Sequence, residues 1–400
     1  MASKSSRWKL SDKAIISGVG TAGYFRSTDE SEASLALQAV IGAARDAALD
    51  PKDIDGVITY QYNNDSVRPQ EIAQSLGVHR LRLWLENWLG GTVGASLLAI
   101  AAMAVDAGMA DNVVVFRSAK HRSGRVRIGG SGQAADTGGL EQFLVPQGWA
   151  NFFTGMAADA VRYMHDFGMT EAHLGKVALN AYANAALNDR AVGKNWGPKT
   201  LEEYFEAPFL AYPFRRWDFA SEVDGACAFI VQSAERAADL PKKPVFISSA
   251  AQSSTPDPMH TGRFAHYDVS KINASRGAAA YFRDDLFAGA GLSPSDVDVA
   301  LLYDQDSFHV IRQLEDLGFC GKGDGGPFVD SGAIGLTGAL PVNTSGGLLA
   351  EGYLHGTNLV IEAVEQLRGD AGKRQVSGAK TAIVSYGPGP LGGGLILTAR

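Results

Sequence analysis

Between Val342 and Gly356 the chain reads VNTSGGLLAEGYLHG, and three side chains able to hold or move a proton, Glu351, Tyr353 and His355, fall within its last six residues. A polar turn, Asn343-Thr344-Ser345, precedes a glycine pair, Gly346 and Gly347, at the start of a predicted helix. Glycine lets backbone come close to a ligand, and the free N–H groups of a helix start favour negative charge, so Gly346 and Gly347 are candidate substrate-binding positions. Glycine inside a helix costs about 0.5–1 kcal/mol relative to alanine, so Gly352 and Gly356 need a reason; a substrate, a neighbouring chain and tight helix packing all supply one.

A second tyrosine, Tyr303, ends the predicted strand VDVALLYD. A phenol can give and take a proton, but its reference pKa is about 10, so a base role requires a lowered value. Tyrosines at a strand end or helix start are more often half-buried packing residues, and residue type alone leaves both readings open. Asp304 and Asp306 read first as caps of the helix that follows. His355 lies two residues past Tyr353, about 200° around a helix from it, which makes it a supporting residue at best. Asn343 is a supporting candidate in the polar turn, and His309 is the other nearby histidine.

These residues need a large scaffold. Four hundred residues with 46% hydrophobic content predict two lobes or a duplicated fold. A net charge of −7 argues against nucleic acid held by general electrostatics. Two cysteines, Cys227 and Cys320, exclude a disulfide framework and read as structural; the eight histidines show no paired-ligand spacing, so no metal is expected. The polar N-terminus has no apolar leader, and the longest apolar run, Ala95 to Val105, is about half a membrane span, so a cytoplasmic protein is expected.

AIISGVG and IDGVIT read as strands flanking a helix over about 31–48, an α/β alternation. A glycine pair, Gly90-Gly91, then precedes an Ala-rich helix that is apolar nearly all round and must be buried, followed by a strand over 112–116. Residues 120–215 break the rhythm and read as a covering insertion. Arg117, Lys120, Arg122, Arg125 and Arg127 are candidates for the phosphates of a ligand, with a solvated loop the favoured reading. The second half repeats the plan: strand, helix over 275–290, strand, helix over 306–318, glycine pair, a long helix to about Arg368, and two closing strands. An internal duplication follows, with halves at 1–240 and 241–400.

The duplicated plan and its glycine turns resemble the thiolase fold, two pseudo-duplicated α/β halves in five layers. The positions matching the thiolase catalytic groups are Gly90 for the nucleophilic cysteine, Tyr353 for the histidine and Ser385 for the second cysteine, so Claisen chemistry through an acyl-enzyme is excluded. YD at Tyr303, LEDLGFC, PVNTSGGLL and GYLHG are similar to the lipid-transfer-protein (sterol carrier protein-type) aldolases of bacterial steroid side-chain degradation. The resemblance implies retro-aldol cleavage of a β-hydroxyacyl-CoA, a 17-hydroxy steroid giving a 17-ketone and propionyl-CoA. It implies no cofactor beyond the CoA of the substrate. An OB-fold acyl-CoA-binding partner and a homodimer within a heterotetramer are also implied. Tyr303 and Tyr353 become the implied acid/base pair. One departure stands out: Asp306 occupies a position usually filled by phenylalanine. The competing class is a non-catalytic subunit that only presents a lipid thioester.

Overall fold

The computed structural model describes residues 8–62, 65–87, 90–124, 145–147, 152–256 and 276–400. Chain order in the first half is β1 (Ala14–Phe25), α1 (Glu32–Asp46), β2 (Gly56–Tyr60), α2 (Pro69–Leu76), β3 (Leu83–Asn87), α3 (Gly94–Asp106) and β4 (Val113–Lys120). Helices α4 (Phe152–Phe167), α5 (Glu171–Ala185) and α6 (Leu201–Glu206) follow, with a hairpin of β5 (Phe209–Ala211) and β6 (Phe214–Arg215), before β7 (Asp224–Ser233). The second half runs β8 (Val245–Ser254), α7 (Ala279–Ala290), β9 (Val299–Leu302), α8 (Ser307–Asp316), α9 (Gly325–Asp330), α10 (Gly347–Ala350), α11 (Thr357–Arg368), β10 (Thr381–Ser385) and β11 (Leu391–Thr398).

Nine strands line up as β3-β2-β4-β7-β1-β8-β11-β10-β9. The order β2-β4-β7-β1 is repeated by β9-β10-β11-β8, each with one parallel pair followed by two antiparallel ones. The duplication expected from the sequence is therefore visible as topology. The two half-sheets join through β1 and β8, where Ile15 pairs with Phe246 and Ile16 with Val245. The edge strand β3, in LRLWLEN, is not among the strands expected from the sequence; Leu83 and Leu85 alternate with Trp84 and Glu86, but none of its residues is fully buried.

Burial sorts the helices into layers. Leu35, Ala39 and Val40 of α1 pack with Ile72 of α2 on the outer face of the first half-sheet. Phe282 and Leu286 of α7 and Ile311 and Leu314 of α8 cover the outer face of the second. Between the half-sheets lie α3 and α11, whose Leu97, Leu98, Leu359, Val360 and Val364 belong to one core. Fully burying each such aliphatic side chain contributes about 1.5–3 kcal/mol, which explains why α3 must be apolar all round. Helix, sheet, helix, sheet, helix makes five layers.

Several boundaries differ from those read off the sequence. The helix expected from 275 begins at Ala279, and Ser275 lies outside the described residues. The single helix expected from the glycine pair to Arg368 is two: α10 is one turn long, and α11 starts only at Thr357. Gly356 and His355, both at positive φ (80° and 53°), separate them. Parts of the proposed insertion, with Arg125 and Arg127, lie outside the described residues. No helix among the described residues is long and apolar enough to cross a membrane.

Candidate active site

In each half the parallel strands end on the same side as the start of a central helix, the end where open α/β sheets place their ligands. Tyr60 is the last residue of β2, Tyr303 follows β9, and Tyr386 follows β10. The Tyr303 and Tyr353 hydroxyls, 50 residues apart in sequence, lie 2.9 Å from each other with the rings edge to face. Both residues are nearly buried, at 3% and 7% exposure.

Tyr303 is placed from several sides. Asn343 sits at φ 49° and uses both ends of its amide, accepting from the Leu302 N–H at 2.8 Å and donating to the Leu302 carbonyl at 2.9 Å. The Tyr303 N–H donates to the Ser385 carbonyl, and Gln313 Nε2 donates to the Tyr303 carbonyl, both at 2.9 Å. The Ser385 hydroxyl donates to Gln313 Oε1 at 2.8 Å and accepts from the Gly387 N–H, so it is occupied in holding this corner. The phenol itself fills the space beside the Gly90–Val93 turn: a Cβ at Gly91 would overlap the Tyr303 hydroxyl. A tyrosine hydroxyl thus stands against Gly91, the residue after the position that the resemblance matches to a nucleophile.

Tyr353 lies in the link between α10 and α11, not in a helix start, and its N–H donates to the Ser221 carbonyl at 2.8 Å. His355, expected to point away, packs edge-on to the Tyr353 ring at 5.1 Å and against His121 at 4.7 Å. The 200° argument assumed a helix, and the left-handed turn at His355 and Gly356 removes it.

The glycine pair does a different task from the one expected. The N–H groups of Leu348 and Leu349 donate to the Asp304 carboxylate at 2.8 and 3.3 Å, so Gly346 and Gly347 do not offer a free helix start to substrate. Gly347 is required because a Cβ would overlap that carboxylate. Asp304 therefore caps α10 rather than α8. Burial pushes its carboxyl up to about 8, opposed by the two N–H bonds. Asp306 is the N-cap of α8, accepting from the His309 N–H at 3.0 Å, as the capping reading expected.

A buried charged cluster completes the site, adding Asp65 and His121 to Arg117 and His355. Arg117, read as a solvated or phosphate-binding cation, is fully buried in β4. Its Nη2 donates to Asp65 Oδ2 at 2.5 Å and its Nε to His355 Nδ1 at 3.3 Å. His121 Nε2 lies 2.9 Å from the same Asp65 oxygen, and His121 Nδ1 lies 3.3 Å from the Tyr353 carbonyl. Asp65, His121 and His355 have ligand atoms within 4.8 Å of one another, but the guanidinium already supplies the cation among them. Burial opposes ionisation of Asp65, yet Arg117 and His121 hold its carboxyl well below the usual range. Burial and the Arg117 charge hold His355 well below its ordinary value, so its ring is neutral. One cue for this group was present in the sequence: Arg117 interrupts VVVFRSA, an otherwise buried strand.

Burial raises both phenols of the pair, Tyr303 well above the ordinary value and Tyr353 also. The lowered value that a resting phenolate base requires is not found. The resting pair is neutral, each hydroxyl available as a donor.

A family model described as Thiolase C-terminal domain-like matches residues 264–393. The chain is 37% identical to 17-hydroxy-3-oxo-4-pregnene-20-carboxyl-CoA lyase of Mycobacterium tuberculosis, over 97% of its own length and all of that protein. It belongs to the thiolase-like steroid side-chain-cleaving aldolases. A steroid side-chain-cleaving aldolase of Thermomonospora curvata is 35% identical over 98% of this chain and 99% of that one. Among solved structures, an Ltp2-ChsH2(DUF35) aldolase superposes with a TM-score of 0.88 at 34% identity, covering 98% of both chains. Relatives carrying lyase and aldolase names at this identity place the family among carbon–carbon lyases and not Claisen thiolases, in keeping with a glycine at position 90 and a hydrogen-bonded serine at 385.

Proposed function

We propose that the protein cleaves a β-hydroxyacyl-CoA by a retro-aldol reaction, taking a 17-hydroxy steroid with a short CoA side chain to a 17-ketone and propionyl-CoA, with Tyr303 and Tyr353 as the acid/base pair. The observation that carries the assignment is the 2.9 Å contact between two buried hydroxyls, one of them packed against Gly91. Retro-aldol cleavage needs a base for the β-hydroxyl proton and an acid for the α-carbon.

When the pair has lost one proton, the phenolate member accepts the β-hydroxyl proton. The Cα–Cβ bond breaks, its electron pair enters the thioester enolate, and the β-carbon becomes the ketone. The phenol of the other tyrosine then protonates the enolate α-carbon. The proton taken from substrate passes back across the hydroxyl–hydroxyl contact and restores the starting pair. No proton has to leave or enter the site, which suits groups this deeply buried.

The CoA is part of the substrate, and no separate cofactor takes part in this reading. The superposed aldolase is a complex with a DUF35 protein; an acyl-CoA-binding OB-fold partner and a homodimer within a heterotetramer are proposed for this chain on that likeness. Incubating the protein, with and without such a partner, with a 17-hydroxy steroid CoA thioester and following propionyl-CoA by mass tests the reading. No shortened acyl-CoA from the complex would reject it and favour a subunit that only presents the thioester.

A further inference from the structure

The two phenols face different surroundings. Around Tyr303 stand the Tyr386 ring at 5.8 Å, Gly91 and Gly356, all uncharged. Around Tyr353 the charged and titratable groups among the described residues come from every neighbouring segment. They are Tyr303 after β9, Tyr60 at the end of β2, Tyr62 and Asp65 after it, Arg117 and His121 from β4 and its following turn, Glu222 before β7, and His355 beside it. The buried Arg117 cation acts on Tyr353 and lies over the Tyr60 ring.

His355 has a second peculiarity. It is a non-glycine residue at φ 53°, a conformation costing roughly 1–2 kcal/mol that glycine would adopt freely. Retaining a histidine there calls for a use of the imidazole. Its Nδ1 accepts from Arg117, which puts the ring hydrogen on Nε2, and its backbone carbonyl accepts from the Tyr60 hydroxyl at 3.0 Å. The ring therefore ties the guanidinium to the face of Tyr353, while His121 ties Asp65 to the Tyr353 backbone.

Building on the tyrosine-pair reading, we propose that the buried Arg117–Asp65–His121–His355 cluster positions Tyr353 and makes it, not Tyr303, the member that carries the negative charge when the pair loses a proton. Tyr353 then takes the β-hydroxyl proton, and Tyr303 delivers a proton to the α-carbon. The cluster acts through Tyr353 and does not touch the reacting atoms. Against burial and the opposing effects of Tyr62 and Glu222, the Tyr303 hydroxyl and Arg117 favour a Tyr353 anion, whereas Tyr353 disfavours one on Tyr303.

The test uses the full chain with a fluorinated tyrosine, whose phenol is more acidic, installed at 353 or at 303 and titrated by 19F NMR without substrate. Ionisation is expected at lower pH for the label at 353. Asp65→Asn, which removes the counter-charge, should move that midpoint down. Arg117→Met with Asp65→Asn, which removes both charges, should move it up by about one unit or more. Opposite shifts are something a merely structural role would not produce. If the double variant does not fold, Asp65→Asn and His121→Gln carry the comparison, His121→Gln shifting 353 more than 303. Ionisation first at 303, or equal shifts at both positions, overturns the proposal. Normal steroid-CoA cleavage by the Tyr→Phe variants would instead sink the tyrosine-pair reading and leave the measured order of ionisation standing.

Discussion

Four tyrosines meet where the two half-sheets end, and they are of two kinds. Tyr60 and Tyr386 donate to backbone carbonyls, of His355 at 3.0 Å and Gly356 at 2.8 Å, and so pin the turn between α10 and α11. Among the described residues, the Tyr303 and Tyr353 hydroxyls meet each other and no carbonyl. Burial is deep for all four, so exposure does not separate them. The partner of the hydroxyl does. A phenol whose proton is committed to a carbonyl is a strut, whereas a phenol facing another phenol can pass a proton on.

This contrast is broken most directly by removing single oxygens. Tyr303→Phe or Tyr353→Phe should lower turnover by about 10²-fold or more with the fold retained by circular dichroism. Tyr60→Phe and Tyr386→Phe should keep turnover within a few-fold and lose stability of about 1 kcal/mol, measured by urea unfolding. Equal losses of turnover in all four would erase the distinction. Gly91→Ala sharpens it without removing any hydroxyl: its Cβ overlaps the Tyr303 hydroxyl, so turnover should fall by about tenfold or more through a displaced phenol.

The pH profile is the next largest effect. Burial raises both phenols, so the pair is protonated near neutrality and its base form grows as pH rises. kcat/KM for cleavage should climb with pH above neutrality, up to tenfold per unit where a single ionisation controls it, until the fold is lost. A flat profile between pH 7 and 9, with chemistry shown to limit the rate, would exclude a phenolate base.

Smaller effects belong to the supports. Asp304→Ala uncaps α10 and should lower stability by about 1–2 kcal/mol, read as a lower melting temperature. Thiol alkylation should leave activity nearly unchanged, because burial pushes both Cys227 and Cys320 up to about 12 and neither thiol belongs to the site. Inactivation in step with modification of either cysteine would contradict that.

The sequence alone determined the duplicated α/β plan, the buried central helices, the loss of the nucleophilic cysteine and the two tyrosines as the residues to watch. The plan and the central helices follow from periodicity and apolar runs, which are local properties of a chain, whereas the missing cysteine and the tyrosine pair follow from the resemblance to thiolases and their aldolase branch. Tertiary structure decided which groups meet. Arg117 reads locally as a surface cation, Asp304 as a cap of the helix after it, and Gly346 and Gly347 as an open anion site. Each reading was reversed by a partner 44 to 238 residues away in sequence, namely Leu348 for Asp304 and His355 for Arg117. His355 was misplaced for a related reason, since one left-handed residue ends helical periodicity and swings the ring onto Tyr353. Burial, which sets the charge state of every group in the site, is likewise a property of the packed layers and not of any single segment.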